Sequence, residues 1–171
     1  MKRSGCYALS IGIESGSQRI LDDVKKKQTV ELVREKVELI HRAGIQAIGF
    51  FMLGFPQETR KEMEKTIKLS LSLPLTRANY MFFHPFPGSE LYNEIVEREG
   101  EERIRMENTP FGRIAYIPGG FTSGKLKRIH VDAFLRFYIR PKHLLSLILN
   151  LRSLSQLYYI IRRVIRWIFL K

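Results

Sequence analysis

The chain has 171 residues, 44% hydrophobic and 27% charged, with one cysteine and a net charge of +12. That balance fits a folded domain with a real core and excludes a disordered chain or a disulfide-stapled miniprotein. The charge is lopsided: residues 121–171 hold eleven Lys/Arg and a single acid, Asp132, so a near-neutral domain is followed by a basic segment.

The N-terminus, MKRSGCYALS, has no secretory pattern, and no uncharged apolar run approaches the ~20 residues that span a bilayer. The expected location is cytoplasmic, with a peripheral membrane attachment left open. An apolar run of strand length, 8–13, comes first. A short helix is expected from Ser17 to about Val24. A longer one should run from Thr29 to about Ala43, because Val30, Val33, Val37 and Ile40 repeat at helical spacing. Gly44 sits where a helix-ending glycine belongs. The second strand is QAIGFFML, 46–53. Thr59 and Glu62 form a capping box for a third helix that ends near Leu73, before Pro74. A third strand is expected over 78–83, and Gly88-Ser89-Glu90 opens another helix. Residues 99–121 read as a loop or linker. Residues 122–171 read as a helical, basic, amphipathic tail in three pieces: about 123–139, 141–151 and 153–170.

Strands that alternate with helices, and that are apolar along nearly their whole length, call for a parallel sheet. A complete barrel of this kind takes ~250 residues. The expected fold is therefore α/β: the C-terminal half of a partial (β/α) TIM-like barrel, about three βα units within 1–98, plus the tail.

In such folds ligands sit at the C-terminal ends of the strands. Glu14 is the last residue of the first strand, in the stretch SIGIESGSQ. Ser15 is expected to cap the next helix, with Gln18 closing a capping box. A carboxylate there can accept two hydrogen bonds from a diol such as a ribose. It can equally be an exposed loop acid.

GIESGSQRILDDVKKK resembles the fourth-strand region of radical S-adenosylmethionine (SAM) enzymes, especially the group with an upstream cobalamin-binding domain. GFFMLGFPQET (49–59) resembles the fifth strand of that family, and YMFFHPFPGSELYNE (80–94) its sixth. FLRFYIRPKHLL (134–145) is similar to a tail found in the group. The resemblance implies that Glu14 and Ser15 lie near the SAM ribose. It implies that Leu53 and Gly54, with Phe83, His84 and Pro85, line the adenine and methionine side. The family has Gly where this chain has Gln57, which puts that turn in question, since Gln tolerates positive φ poorly. The Cys-x3-Cys-x2-Cys motif that binds the family's 4Fe-4S cluster has no counterpart here, and Cys6 cannot replace it. The cluster ligands are therefore expected outside this chain, and cobalamin in an upstream domain. The partner implied is the N-terminal half of the barrel, in cis or as a separate chain. No catalytic or metal-binding residue is assigned.

Cys6 reads as a small buried hydrophobe. His84 reads either as a contact to substrate or corrinoid or as a structural polar group at a strand end. His41, His130 and His143 show no ligand spacing. Tyr80, Phe82 and Phe83 read as core, with Phe83 also a candidate ligand contact. Lys25-Lys26-Lys27 reads as a solvated helix end. In 153–170 a wide apolar face opposes Arg162, Arg163 and Arg166; it fits packing on the barrel or another subunit, or a membrane surface. Nucleic acid is not expected. Two functions remain open. One is the SAM-binding portion of a radical SAM enzyme, inactive alone, using the cluster for reductive SAM cleavage or cobalamin for methyl transfer. The alternative is a non-catalytic accessory or membrane-surface module derived from such a barrel.

Overall fold

The three apolar runs are the strands of one parallel sheet. The computed structural model describes residues 1–105, 113–141 and 162. β1 (Ala8–Glu14), β2 (Gln46–Leu53) and β3 (Arg77–Phe82) lie side by side in chain order. Two helices connect β1 to β2: α1 (Gln18–Asp23) and α2 (Val30–Arg42). α3 (Arg60–Ser72) returns the chain to β3, and α4 (Glu90–Glu99) and α5 (Ser123–Tyr138) follow.

Local chemistry sets these boundaries. The Thr29 side chain accepts a hydrogen bond from Leu32 N, and Ser89 caps α4 in the same way. The Thr59–Glu62 capping box forms with both of its bonds. Gly44, just past α2, takes the left-handed conformation expected of it, with φ 68°.

One face of the sheet is the core face. Ala47, Phe51 and Leu53 of β2 and Ala78, Tyr80 and Phe82 of β3 pack against Val33 and Val37, Met63 and Ile67, and Leu126, Ala133 and Phe137. Gly49 leaves room on this face for Leu75, whose Cδ1 would stand 2.8 Å from a Cβ there and would have to shift. The opposite face, including Ser10, Gly12, Ile48, Phe50, Asn79 and Met81, is only half-buried or exposed. A second cluster, Ile20, Phe55, Phe83, Ile95 and Tyr116, fastens α1 and α4 to the segments leaving β2 and β3.

Three departures from the sequence expectation concern packing. First, α5 belongs to this core and not to a separate tail. It also closes the outer edge of β3: Tyr138 Oη accepts from Ala78 N (3.3 Å) and donates to Ala78 O (3.1 Å), and His130 Nε2 pairs with Tyr80 O at 2.7 Å. Second, the segment after α4 is not a bare linker. Ile104 bridges Tyr116, and the buried Tyr116 ring donates its hydroxyl to Glu99 Oε1 at 2.9 Å. Third, Cys6 is half-buried rather than part of the core. The helices expected over 141–151 and 153–170, with their packing or membrane role, lie outside the described residues apart from Pro141 and Arg162. Among the described residues, no helix is long and apolar enough to cross a membrane.

Candidate ligand site at the strand ends

Because the strands are parallel and in register, their C-terminal ends share one edge. Glu14, the Leu53-Gly54 pair and the Phe83–Pro85 segment all arrive there, and Phe83 N donates to Leu53 O at 2.9 Å.

Glu14 ends β1 on an irregularity. Gly12 pairs with Phe50 and Glu14 with Phe51, so Ile13 is an extra residue in the ladder. Such a bulge re-aims the side chain that follows it. Glu14 is also left-handed, at φ 64°, a conformation that costs a non-glycine residue ~1 kcal/mol or more. Its side chain is 15% exposed, and its Oε1 accepts from Lys26 Nζ at 2.8 Å. Its Oε2 is buried and has no hydrogen-bond partner among the described residues. A buried acceptor left unpaired costs ~1–3 kcal/mol. Gly12 makes room for this arrangement: a Cβ there would come within 2.8 Å of Glu14 Oε1.

Ser15 does not cap α1. That position is Ser17, whose hydroxyl donates to Glu62 Oε1 at 3.2 Å. Ser15 is wholly buried, with its Oγ 3.1 Å from Thr66 Oγ1 and accepting from Ser17 N. Gly16 N donates to the same Thr66 hydroxyl, and a Cβ on Gly16 would lie 2.5 Å from Lys65 O. The small residues after Glu14 thus let the chain turn directly against the α3 backbone, which is why β1 stops there. The Gln18 side chain, expected to close a capping box, instead accepts from Val30 N and donates to Gln28 O.

The segment after β2 is built on Gly54, at φ 89°. Glu58 Oε2 accepts from Gly54 N (2.7 Å) and Phe55 N (3.2 Å), while its Oε1 is buried without a partner among the described residues. Burial raises the Glu58 carboxyl from 4.5 to about 7, against the two backbone donors that lower it. The turn in question forms with Gln57 in the left-handed region at φ 57°, so glutamine carries the conformation itself. Arg19 holds it by donating from Nη2 to Gln57 O at 3.1 Å. The same guanidinium grips both oxygens of Glu62, at 2.7 and 2.8 Å. That bond, before all else, brings Glu62 down to about 2.

At the third strand end, Phe83 is a core residue. Its ring packs 5.1 Å from Phe55 and edge-on to Tyr116. His84 is half-buried beside Phe86, and desolvation lowers its pKa, so the imidazole is neutral at pH 7. Pro85 is buried.

Three contributors escaped the sequence reading. Lys26 sits in a run read as a solvated helix end. Glu58 is not singled out by the sequence at all. The Arg19–Glu62 pair spans 43 positions. The apolar-strand-plus-acid pattern pointed at Glu14, and the resemblance at the ends of the other two strands.

Residues 1–70 match the sequence profile of the Radical SAM superfamily. Over those residues the chain carries the radical SAM sequence pattern. It is similar to an uncharacterized methyltransferase of Pyrococcus horikoshii, 32% identical over 167 residues, covering 97% of this chain and 35% of that protein. It is also similar to the anaerobic magnesium-protoporphyrin IX monomethyl ester cyclase of Rubrivivax gelatinosus, 26% identical over 143 residues, covering 84% of this chain and 25% of the cyclase. The tRNA-2-methylthio-N(6)-dimethylallyladenosine synthase of Yersinia pestis is 29% identical over 133 residues, covering 75% of this chain and 28% of the synthase. The chain spans about a third or less of the length of these relatives. The radical SAM match takes in Glu14, Ser15, Leu53 and Gly54, whereas Phe83–Pro85 lie beyond it.

The superfamily implies SAM and a 4Fe-4S cluster, and this chain fits the two differently. The cluster needs cysteine thiolates. The sequence has one cysteine, and among the described residues no group of three or more His, Cys, Asp or Glu could hold a metal. SAM needs an acceptor for its ribose hydroxyls, and Glu14 Oε2 is an acceptor without a donor.

Proposed function

We propose that this chain forms the SAM-binding C-terminal part of a radical SAM protein of the cobalamin-associated methyltransferase and cyclase group. The observation that carries the reading is the buried, unpaired Oε2 of Glu14 at the edge where all three strands end. In this reading the Glu14 carboxylate accepts hydrogen bonds from the ribose. Leu53 and Gly54 offer backbone atoms to the adenine and methionine side, and Glu58 fixes the Gly54-Phe55 N–H groups in position. Phe83 supports that wall from the core, while His84 and Pro85 border it. When bound, SAM supplies a sulfonium open to reductive cleavage or methyl transfer.

The cluster ligands belong to a portion of the barrel outside this chain, in cis or on a partner, and any cobalamin to a further domain. The outer edge of β1, unpaired among the described residues, the half-exposed second face of the sheet and the greater length of the relatives support this division. The test is SAM affinity in the assembled, cluster-loaded protein. Glu14→Gln should weaken it ~10-fold or more, consistent with the ~1.5–3 kcal/mol of a hydrogen bond to a charged acceptor. Unchanged affinity would make Glu14 a structural acid and sink the reading.

A further inference from the structure

The Lys25-Lys26-Lys27 run is an ordered turn. α1 ends in a two-bond motif: Lys26 N donates to Leu21 O, and Lys25 N to Asp22 O, each at 3.0 Å. In that motif the residue at the Lys25 position is left-handed and is usually glycine. Lys25 has φ 53°, and Lys27, on the other side of Lys26, has φ 49°. Two consecutive exceptions to the glycine preference bracket a single residue. The turn folds the chain back toward the end of β1. There Lys26 Nζ meets Glu14 Oε1, while Lys25 pairs with Glu90 on α4. Gln28, next in line, donates to Ile13 O at 3.0 Å and so ties the turn to the bulge.

The ammonium occupies one oxygen of Glu14 and leaves the other. A lone carboxylate can rotate and offer either oxygen; with Oε1 held by the ammonium, Oε2 is the oxygen left without a donor among the described residues. We infer that Lys26 is a positioning residue for the proposed ribose contact. It fixes the Glu14 carboxylate so that Oε2 alone faces the bound nucleoside. This role rests on the SAM reading above, and the experiment is chosen to separate the two.

The measurement is equilibrium dialysis of SAM against the assembled protein, with urea unfolding as a control for folding. Four variants are needed: Glu14→Gln, Lys26→Met, Lys26→Arg and the Glu14→Gln/Lys26→Met double. Lys26→Met should weaken SAM about tenfold without shifting the unfolding midpoint appreciably. Lys26→Arg, which keeps a cation in reach, should restore affinity to within about threefold of the parent. The double variant should bind no more weakly than Glu14→Gln alone, because Lys26 acts only through Glu14. If Glu14→Gln weakens binding and Lys26→Met does not, or if the two losses simply add, the positioning role falls and the ribose reading stands. If Glu14→Gln binds as tightly as the parent, or the parent does not bind SAM, the ribose reading falls and takes this role with it.

Discussion

Replacing Glu58 by Gln should remove a pH-dependent instability from the loop that leaves β2. The carboxyl is 2% exposed, and burial raises it from 4.5 to about 7. Between those values the folded protein holds a proton that the unfolded chain has released. Stability from this group is therefore full below pH 4.5 and is lost as pH rises through 7. A rise from 4.5 to about 7 amounts to about 3 kcal/mol in all, of which about 2.5 kcal/mol falls between pH 5 and pH 8. Urea unfolding of parent and Glu58→Gln at pH 5, 6, 7 and 8 reads this directly. Whatever the fixed offset from exchanging an acid for an amide, the parent should lose about 2.5 kcal/mol relative to the variant across the series. Glu58→Ala should destabilise at every pH, by about 2–4 kcal/mol, since Gly54 N and Phe55 N lose their shared acceptor. Glu62 works in the neighbouring window with the opposite sign: held at about 2, it contributes stability above pH 4.5 that is lost as pH falls toward 2. A stability difference between parent and Glu58→Gln that stays flat from pH 5 to 8 would refute the argument.

Two further outcomes follow from backbone geometry. Lys27→Gly should raise the stability read from urea unfolding by about 0.5–1 kcal/mol, because Lys27 is exposed and left-handed at φ 49°; a loss of stability would show that its side chain is needed. Gly16→Ala should cost about 1–3 kcal/mol in the same assay, since its Cβ would lie 2.5 Å from a backbone oxygen of α3, and a neutral result would mean that the turn can lift away from the helix.

The strands were legible in the sequence to within a residue or so because a parallel sheet leaves little polar surface to blur the apolar runs. β2 was read with its bounds intact, and the Thr59–Glu62 box located the start of α3. Glu14 was legible as a site residue because an acid at the end of such a run stands out. Its partners were not. Lys26 is twelve residues away and depends on two left-handed lysines that no propensity predicts. Ser15 and Gln18 have the spacing of a capping box, but Thr66 and Val30 compete for their side chains and win. α5 looked like a tail because it opens the stretch 121–171, whose eleven Lys/Arg face a single acid. Leu126, Ala133 and Phe137, which decide where it packs, are a minority of its length.

The two margins of the sheet are unequal. On β3 the outward-facing groups of Ala78 and the Tyr80 carbonyl are already occupied by Tyr138 and His130, whereas among the described residues β1 has no neighbouring strand on its outer side. An open strand margin is a template for further pairing. Here β1 offers that template along its length, while on β3 the Tyr138 and His130 side chains already hold part of it. Two copies meeting through β1 would use up both of their β1 margins. Head-to-tail propagation, which needs two different complementary margins on every molecule, would first have to displace Tyr138 and His130 from β3.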